Sequence, residues 1–369
     1  MNINILQKDL NKSLGIVQKA VSSRTSIPIL SGILLEARDK KLYLTATDLE
    51  LGIHTYVDCE IIEEGSIVIE PKIISDFVRK FSSTVEMNIQ TTENNNVKIK
   101  HQHSEINILG NSAQEFPRNT FENEGIEFKL PSKKLQELIK YTIFAVSQDK
   151  MRPIFTGCLL EIVNNNINFV AIDTFRMALK KDQLISDNKI DNLSMIIPAK
   201  TLQEVNRIIE EVEDDIQIVA SDQHVSFKIN QTTIISSLLE GKFIDYNSLI
   251  REDYATIIAL DTAAFKLSLE RASVLAREDK NNLIILDIKE NTMQINSTSD
   301  YGNSEEFIVL DKKEGQDIKI GFNSKYIMDV IKAVESDKLE MRLLGEVNPC
   351  FIKENEKDDY HYMILPVRI

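Results

Sequence analysis

One pattern of apolar and polar positions occurs three times along the chain, at residues 71–81, 198–210 and 323–334. In each stretch the apolar residues follow the spacing i, i+3, i+7, which places them on one face of an α-helix. The coinciding apolar positions are Ile74, Phe77 and Phe81; Leu202, Val205 and Ile209; and Ile327, Val330 and Val334. The pattern therefore predicts three equivalent amphipathic helices.

The cations of these stretches coincide as well. The matched pairs are Lys72 with Arg79, Lys200 with Arg207, and Lys325 with Lys332. At about 100° per residue, the members of a pair lie two turns apart and nearly opposite the apolar stripe. Each predicted helix therefore has a cationic side that faces away from its core.

Two interpretations of these cations are open. Asp76, Glu204 and Asp329 each follow the first Lys of their stretch by four residues. Such i, i+4 pairs are usual on a solvated helix face and stabilise it by about 0.2–0.5 kcal/mol each. The alternative is that three equivalent helices present cations to the phosphates of one large polyanion. Threefold recurrence gives the second interpretation the same weight as the first, so both stay open until the rest of the chain is considered.

The order of segments repeats with a period of about 125 residues, which is too long for a solenoid. A further amphipathic segment opens each repeat, at residues 6–22, 132–147 and 262–277. Alternating β-branched runs with tight polar turns predict antiparallel strands at residues 29–50, 85–109, 154–176, 216–239, 283–300 and 339–365. We predict an α+β fold of three domains, residues 1–121, 122–251 and 252–369, linked near 119–125 and 251–254. In each domain, two helices would cover one face of an antiparallel sheet.

Composition is that of a globular protein, with 43% hydrophobic and 27% charged residues among 369. No apolar run approaches about 18 residues, so no membrane span is expected. The first residues lack the features of a secretory signal. Cys59, Cys158 and Cys350 are scattered without metal spacing, which is typical of reduced thiols. A cytoplasmic location is therefore expected.

The formal net charge of −14 repels nucleic acid on average. A protein of this charge that handles DNA has to contact it through a local cationic surface, with its acidic surface kept away. The charge therefore restricts the geometry of a DNA contact without excluding one.

No pattern typical of an active site stands out. Asp48, Asp173 and Asp300 mark the same point in each repeat. Three carboxylates suit metal-dependent phosphodiester chemistry, but a catalytic site is normally assembled once, so we interpret them as turn residues that bond to local backbone. His101 and His103 share one strand face without further ligands nearby, and no glycine-rich phosphate loop occurs. The sequence predicts a binding protein with neither a cofactor nor a metal site.

Five runs of sequence resemble one family, the bacterial DNA polymerase III beta subunits, or sliding clamps. They are RTSIPIL at 24–30, LTATDLE at 44–50, GKFIDY at 241–246, IGFNSKY at 320–326 and MILPVRI at 363–369. Their order and spacing, together with the three repeats, extend the resemblance over the whole chain. It implies a non-catalytic processivity factor of DNA polymerase III.

The resemblance further implies a head-to-tail homodimer in which six domains form a ring around double-stranded DNA. Helices line the hole of such a ring, and antiparallel sheets form its outer wall. The paired cations would then meet phosphates without reading the base sequence. Arg24 and Gln148 match family positions that touch DNA in the hole. Where relatives often carry aromatic residues, this chain has Pro153 and Ile154.

The family's second site is a pocket between the second and third domains that takes short peptides from partner proteins. These partners are the DNA polymerase III catalytic subunit, the clamp loader and other proteins with a clamp-binding motif. By matched position, the lining would be Arg152, Phe155, Ile172, Thr174, Phe175, Arg176, Met177, Ile244, Leu249, Asn323, Tyr326, Val347, Pro349, Met363, Leu365, Pro366, Val367 and Arg368. Apolar groups from distant segments would make a groove for an apolar and acidic peptide. Arg152, Arg176 and Arg368 would be its polar anchors.

The chain departs from the family at both interaction sites. Thr174, Phe175, Met177, Ile244 and Ser248 differ from the frequent residues of the peptide pocket, so its peptide preference is expected to differ. At the seam between subunits, Ile106 and Ile108 match positions that pack against Val274 and Leu275 of the partner subunit. A head-to-tail contact that closes after two copies gives C2 symmetry. Nearby, residues 281–282 are Asn-Asn where relatives usually have Arg-Gly.

Two other functions remain open at this point. The first is a metal-dependent DNA-processing enzyme built on the three Asp turns. The second is a three-domain scaffold that binds proteins without encircling DNA. Turnover with Mg²⁺ would indicate the former, and absence of retention on circular plasmid would indicate the latter.

Overall fold

The computed structural model describes residues 1–22, 25–117, 125–185, 189–210, 212–279, 281–354 and 358–369. It has an α+β fold in which the order of elements recurs three times. The first repeat contains β1 (Asn2–Leu6), α1 (Gln7–Val17), β2 (Ile33–Arg38), β3 (Lys41–Thr47), β4 (Leu51–Asp58), β5 (Glu60–Glu63), β6 (Gly65–Ile69), α2 (Pro71–Val78), β7 (Glu86–Thr91), β8 (Asn96–His101) and β9 (Ser104–Leu109).

The third repeat follows the same order, and the second differs in that four strands, not five, are described between its two helices. The second contains β10 (Ile126–Pro131), α3 (Ser132–Lys140), β11 (Gly157–Val163), β12 (Asn166–Ile172), β13 (Arg176–Gln183), β14 (Asn192–Pro198), α4 (Ala199–Ile209), β15 (Asp215–Ala220), β16 (His224–Ile229) and β17 (Thr232–Ser237). The third contains β18 (Thr256–Asp261), α5 (Thr262–Ala276), β19 (Leu283–Lys289), β20 (Thr292–Ser299), β21 (Gly302–Val309), β22 (Lys312–Gly315), β23 (Ile318–Asn323), α6 (Ser324–Ala333), β24 (Lys338–Leu343), β25 (Cys350–Glu354) and β26 (Tyr360–Ile364).

The chain divides into two compact units, residues 1–133 with 203–238, and residues 134–202 with 239–369. The first unit contains a five-stranded sheet in the order β5-β1-β7-β8-β9 and an eight-stranded sheet in the order β10-β15-β16-β17-β4-β3-β2-β6. The second contains a nine-stranded sheet, β14-β11-β12-β13-β26-β25-β24-β18-β22, and a four-stranded sheet, β21-β20-β19-β23.

The sheets differ from the expectation of one sheet per domain. Each repeat contributes strands to two sheets, and two of these sheets continue from one repeat into the next. In the first unit, β17 pairs with β4, with Thr233 opposite His54. In the second unit, β13 pairs with β26, with Arg176 opposite Ile364. Backbone hydrogen bonds therefore join successive repeats, and a compact unit does not coincide with a repeat.

A strand precedes the first helix of every repeat, where the sequence analysis placed the helix alone. These strands are β1, β10 and β18, and each pairs antiparallel with a strand from the end of its own repeat. In β18 buried and half-buried residues alternate along the strand. In the sequence, the signal that could have identified the strand is the short apolar run of residues 257–260 directly before the capping Asp261.

Two of the helices with matched cations, α2 and α6, begin where capping side chains accept hydrogen bonds from their first N–H groups. The carboxylate of Glu70 accepts hydrogen bonds from the backbone N–H of Lys72 and Ile73 at 3.2 and 3.0 Å, next to Pro71 at the first helical position. Asn323 caps α6 through a 3.0 Å bond from the N–H of Lys325. Such caps stabilise a helix by about 1 kcal/mol. They fix the start of two of the helices that carry the matched cations.

Candidate functional site

The matched cations lie on the exposed sides of their helices. Lys72, Arg79, Lys200, Arg207, Lys325 and Lys332 are all exposed. The apolar stripes point inward, since Ile74, Leu202, Val205, Ile327 and Val330 are completely buried. The amphipathic division predicted from the spacing is therefore present in α2, α4 and α6.

Two acidic residues of these helices form ion pairs with the second cation of their helix, which the sequence pattern did not predict. Arg79 Nη2 lies 2.8 Å from Asp76 Oδ1, and Arg207 Nη1 lies 3.3 Å from Glu204 Oε2. Both pairs join the second cation of the helix to an acid three residues earlier, not the first Lys to an acid four residues later. The Arg79–Asp76 pair is exposed on both sides, and such pairs contribute about 0–1 kcal/mol to stability. In the other pair Glu204 is 14% exposed but Arg207 is 56% exposed, so both arginines remain accessible to an external anion.

Two grooves flank α1 in the first unit and add cations from this helix. A groove of about 480 Å³ is lined by Lys12, Lys19 and Arg207 among others. A second groove, of about 800 Å³, is lined by Lys19, Lys72 and Arg79 among others. The sequence pattern does not identify Lys12 and Lys19 as DNA contacts, because the cations of the opening helices do not coincide between repeats. Spatial proximity to the matched cations is what identifies them.

Gln148 and Arg24 are the two predicted DNA contacts that do not belong to the matched helix cations. Gln148 is exposed in the loop before the turn formed by Pro153–Thr156. Arg24 lies outside the described residues. Ile154, one of the departures from the family, packs against a buried apolar cluster of the second unit. This side chain is used for packing within the protein.

Two of the recurring Asp residues bond to local backbone, which confirms the turn interpretation for them. Asp48 Oδ1 accepts hydrogen bonds from the N–H of Glu50 and Leu51 at 3.1 and 2.7 Å. Asp173 Oδ1 accepts from the N–H of Phe175 and Arg176 at 2.7 and 2.9 Å. These carboxylates are therefore engaged in closing turns. Among the described residues, no group of three or more His, Cys, Asp or Glu is arranged to hold a metal ion.

Cys158 is buried, Cys59 and His101 are half-buried, and His103 is exposed. Burial raises the pKa of Cys158 to about 12, and burial together with Asp58 raises the pKa of Cys59 to about 11. A thiol with so high a pKa is a poor nucleophile near neutral pH. His101 Nδ1 lies 2.9 Å from the carbonyl oxygen of Glu86, and its ring packs edge-on against Phe81.

A cleft of about 390 Å³ opens in the second unit. Eight of its lining residues belong to the predicted peptide pocket: Ile172, Thr174, Arg176, Ile244, Leu249, Pro349, Met363 and Leu365. Behind it lies a buried cluster that includes Met177, Tyr246 and Phe351, with Phe155 packed against it. The cleft therefore has an apolar floor backed by a rigid core.

Arg176 lines the cleft but is only 6% exposed, and its hydrogen bonds go to the protein itself. Nε donates to Asp173 Oδ2 at 3.0 Å, Nη1 to Asp329 Oδ2 at 2.6 Å, and Nη2 to the carbonyl oxygen of Phe144 at 2.5 Å. The guanidinium also lies over the ring of Tyr326, 4.4 Å from its centre. Burial favours a lower pKa for Arg176, but Tyr362, Asp329 and Asp173 more than offset it and raise the pKa. Arg176 is therefore better suited to holding the cleft wall than to anchoring a peptide.

The remaining predicted pocket residues are not among those that line the cleft. Phe175 and Tyr326 stack with ring centres 6.2 Å apart. Asn323 caps α6, and the N–H of Val367 donates to the carbonyl of Gly321 at 2.8 Å. Arg152, Val347 and Arg368 are exposed, and Pro366 is half-buried. The stacked rings make one aromatic wall beside Arg176.

Several lining residues were missed by the sequence analysis: Asp173, Arg251, Asp253, Leu344 and Asn348. Arg251 and Asp253 form a two-pronged ion pair, with Nε–Oδ1 at 2.9 Å and Nη2–Oδ2 at 2.7 Å. They lie in residues 251–254, which were interpreted as a link between domains. Residues 251–254 contain neither helix nor strand.

Open edges and exposed apolar residues occur at both predicted seam positions. In the first unit, β9 is an edge strand on which Ile106 is half-buried, Ile108 is buried and Leu109 is exposed. In the second unit, β21 is an edge strand with Phe307 and Val309 exposed. Its sheet packs against α5, where Val274 is 64% exposed. An edge strand with exposed apolar residues is typical of a surface that pairs with another chain.

Comparison with known families gives matches along nearly the whole chain. Family models of the three domains of the DNA polymerase III beta subunit match this chain. The N-terminal domain matches residues 1–120, the central domain residues 129–245 and the C-terminal domain residues 247–368. Within the described residues, no helix is long and apolar enough to cross a membrane.

Individual relatives agree with the family models. The beta sliding clamps of Staphylococcus aureus and Staphylococcus epidermidis are 35% and 33% identical, each alignment covering 95% of this chain and 94% of the relative. The crystal structure of the Bacillus subtilis DNA polymerase sliding clamp has a TM-score of 0.95 at 32% identity and covers 100% of this chain. The same superposition covers 99% of the Bacillus subtilis chain. The DNA polymerase III beta subunit of Thermotoga maritima has a TM-score of 0.91 at 28% identity, with 100% and 99% covered.

Three α+β repeats with matched helix cations and an apolar cleft are typical of the DNA-clamp class. The chain belongs to the DNA polymerase III beta subunit family, the beta sliding clamps. Proteins of this family are non-catalytic processivity factors. The enzyme alternative considered above is therefore excluded.

Proposed function

We propose that two copies of this chain close head to tail into a six-domain ring around double-stranded DNA. The observation that carries this proposal is the recurrence of exposed cations at matched positions of α2, α4 and α6 in a chain of net charge −14. A local cationic surface on helices, with acidic residues elsewhere, suits sequence-independent contact with phosphates. The DNA contacts proposed are Arg24, Lys72, Arg79, Gln148, Lys200, Arg207, Lys325 and Lys332.

The subunit seam proposed joins β9 and Ile106 and Ile108 of one copy to β21 and α5 of the other, with Val274 and Leu275. Unsatisfied N–H and C=O groups of two edge strands are satisfied when the strands pair across a seam. The exposed apolar side chains at both edges would be buried by the same contact. The domain boundaries proposed are 1–121, 122–251 and 252–369, and the proposed location is the cytoplasm.

The cleft of the second unit is proposed to hold short peptides of DNA polymerase III, of the clamp loader and of other clamp-binding proteins. Its apolar floor, about 390 Å³ of volume and exposed charged rim suit a short segment with apolar and polar side chains. One ring would offer two such clefts. It would thereby tether enzymes to the DNA that it encloses.

Topology provides the test of enclosure. The protein is expected to run near twice 42.1 kDa in solution and, once loaded, to stay on circular plasmid. Linearising the plasmid is expected to release it, because a ring slides off free ends. Val274→Glu, which places a charge at an exposed seam position, should give a folded monomer that is not retained. Equal retention on circular and linear DNA, or a native monomer, would contradict the ring.

The C-terminal segment provides the test of the cleft. Leu365 lines the cleft, and Val367 is bonded to the backbone of Gly321. Deleting residues 365–369 is therefore expected to weaken binding of a clamp-loader or polymerase peptide at least about tenfold, through loss of apolar contact area. The dimer mass is expected to persist, since the deletion lies outside the proposed seam. Retained peptide affinity, measured by fluorescence anisotropy, would remove this assignment.

A further inference from the structure

The cleft has two guanidinium groups in its lining, and they differ in availability. Arg176 is buried, and Asp173, Asp329 and the carbonyl of Phe144 accept its hydrogen bonds. Withdrawing it toward a ligand would leave the carboxylates of Asp173 and Asp329 without their buried counter-charge, which is strongly unfavourable. Arg176 therefore cannot bind the carboxylate of a ligand without a large unfavourable change in free energy.

Arg251 is the opposite case. Its side chain is 57% exposed, and its ion-pair partner Asp253 is 63% exposed. Exposed ion pairs have small net free energies because water solvates both charges when the pair opens. A carboxylate that arrives in the cleft can therefore replace Asp253 on the guanidinium with little loss. The planar fork that now holds Asp253 fits an incoming carboxylate in the same two-pronged way.

The backbone around Arg251 is fixed, so its side chain starts from a defined place. The hydroxyl of Tyr254 donates a hydrogen bond to the carbonyl oxygen of Arg251. Tyr254 packs edge-on against Phe351, with ring centres 6.1 Å apart. On the other side, Leu249 and Ile250 pack against the same buried cluster. Arg251 is thereby held at the cleft between two anchored segments, and less ordering is needed when it binds a ligand.

We propose that Arg251 recognises an acidic side chain of the bound peptide, and that Asp253 aims the guanidinium and competes with that side chain. The proposal rests on the cleft being a peptide site and names the partner class more closely, as apolar segments that carry a carboxylate. In the free protein Arg251 and Asp253 neutralise each other. A peptide without an acid gains nothing from opening this pair, so the pair selects for acidic partners.

The test uses pairs of labelled octapeptides that all contain a Leu and a Phe at fixed positions. The two peptides of a pair differ only in having Glu or Gln at one other position, and successive pairs place this residue at each of the remaining positions. At the best position, the full-length protein is expected to bind the Glu peptide about tenfold more tightly than the Gln peptide at about 0.1 M salt, with the preference declining as salt rises. Arg251→Ala should remove the preference by weakening the Glu peptide alone. Asp253→Asn should tighten the Glu peptide about threefold and leave the Gln peptide unchanged.

Lys319→Ala is the matched control, since Lys319 is an exposed cation of β23 outside the cleft lining. It is expected to leave both affinities unchanged. A preference for Glu that survives Arg251→Ala would overturn the proposal, as would equal weakening of both peptides. Equal binding of the two peptides by the unmodified protein would also overturn it while leaving the cleft assignment intact. If neither peptide bound, the cleft assignment itself would fail.

Discussion

Reversing Arg79, Arg207 and Lys332 to Glu is expected to lower loading on primed circular DNA and polymerase processivity about tenfold, without unfolding the protein. The three residues are the second cations of α2, α4 and α6, and all are exposed. Each reversal turns an attraction to phosphate into a repulsion. The formal net charge falls by two at each position, from −14 to −20.

A matched control separates the helix positions from the change in net charge. Lys189, Lys289 and Lys312 are exposed cations, each paired with an acid two residues away at 3.0, 2.8 and 2.8 Å. None of them lies on a helix. Reversing these three also gives −20, because the starting value is again −14, and it is expected to affect loading far less. Equal losses in the two triple variants would show that only net charge matters, and unchanged processivity in the helix variant would contradict its DNA-facing assignment.

Weak electrostatic contact is compatible with persistent association when the protein encloses its ligand. A closed ring leaves DNA only by opening or by reaching an end, so its residence does not depend on a strong grip. Cations that are partly compensated, as Arg79 is by Asp76 and Arg207 by Glu204, would hold phosphates loosely enough for sliding. The reversal is therefore expected to act mainly on loading, which requires attraction, and less on the lifetime of a ring already closed.

The helices with matched cations could be predicted from the sequence because their signals are local. Spacing alone placed Ile74, Val205 and Ile327 in the core, and all three are fully buried. The six strand groups predicted from alternation all contain strands, but alternation missed others, such as β4 to β6, β14 and β21 to β23. Alternation identifies the face of a strand but not its neighbour, so the pairing of Thr233 with His54 between repeats was not predictable.

The details of the cleft were beyond sequence reasoning for a related reason. Asp329 was interpreted as a partner for cations on its own helix, whereas it binds Arg176, which lies 153 residues earlier in the chain. Arg251 was missed because residues 251–254 have the composition of a link between domains. Contacts between distant segments depend on the packing of whole sheets, and no local periodicity encodes them. The contribution of an individual residue such as Asp329 to the free energy of unfolding can therefore be estimated only from the structure.

Asp329→Ala is expected to destabilise the protein by about 3 kcal/mol, because it leaves the buried guanidinium of Arg176 short of one counter-charge. The side chain of Arg176 is 6% exposed and that of Asp329 is 23% exposed, so water can replace the lost carboxylate only in part. Asp173 still pairs with Arg176, which limits the loss. Apparent free energies of unfolding from urea titration would measure it.

Asp76→Ala makes the same chemical change at the matched position of the first repeat. There the partner is Arg79, and both side chains are more than half exposed, so a loss of at most about 0.5 kcal/mol is expected. Replacing Arg176 by Met together with Asp329→Leu is not expected to recover the stability, because Asp173, whose side chain is 12% exposed, would then lose its own counter-charge. Equal losses for Asp329→Ala and Asp76→Ala would contradict the structural role assigned to Asp329. A larger loss for Asp329→Ala than for Asp76→Ala would show that the two matched acids have different roles. Asp76 pairs with a cation on the exposed helix face, whereas Asp329 stabilises the wall of the cleft.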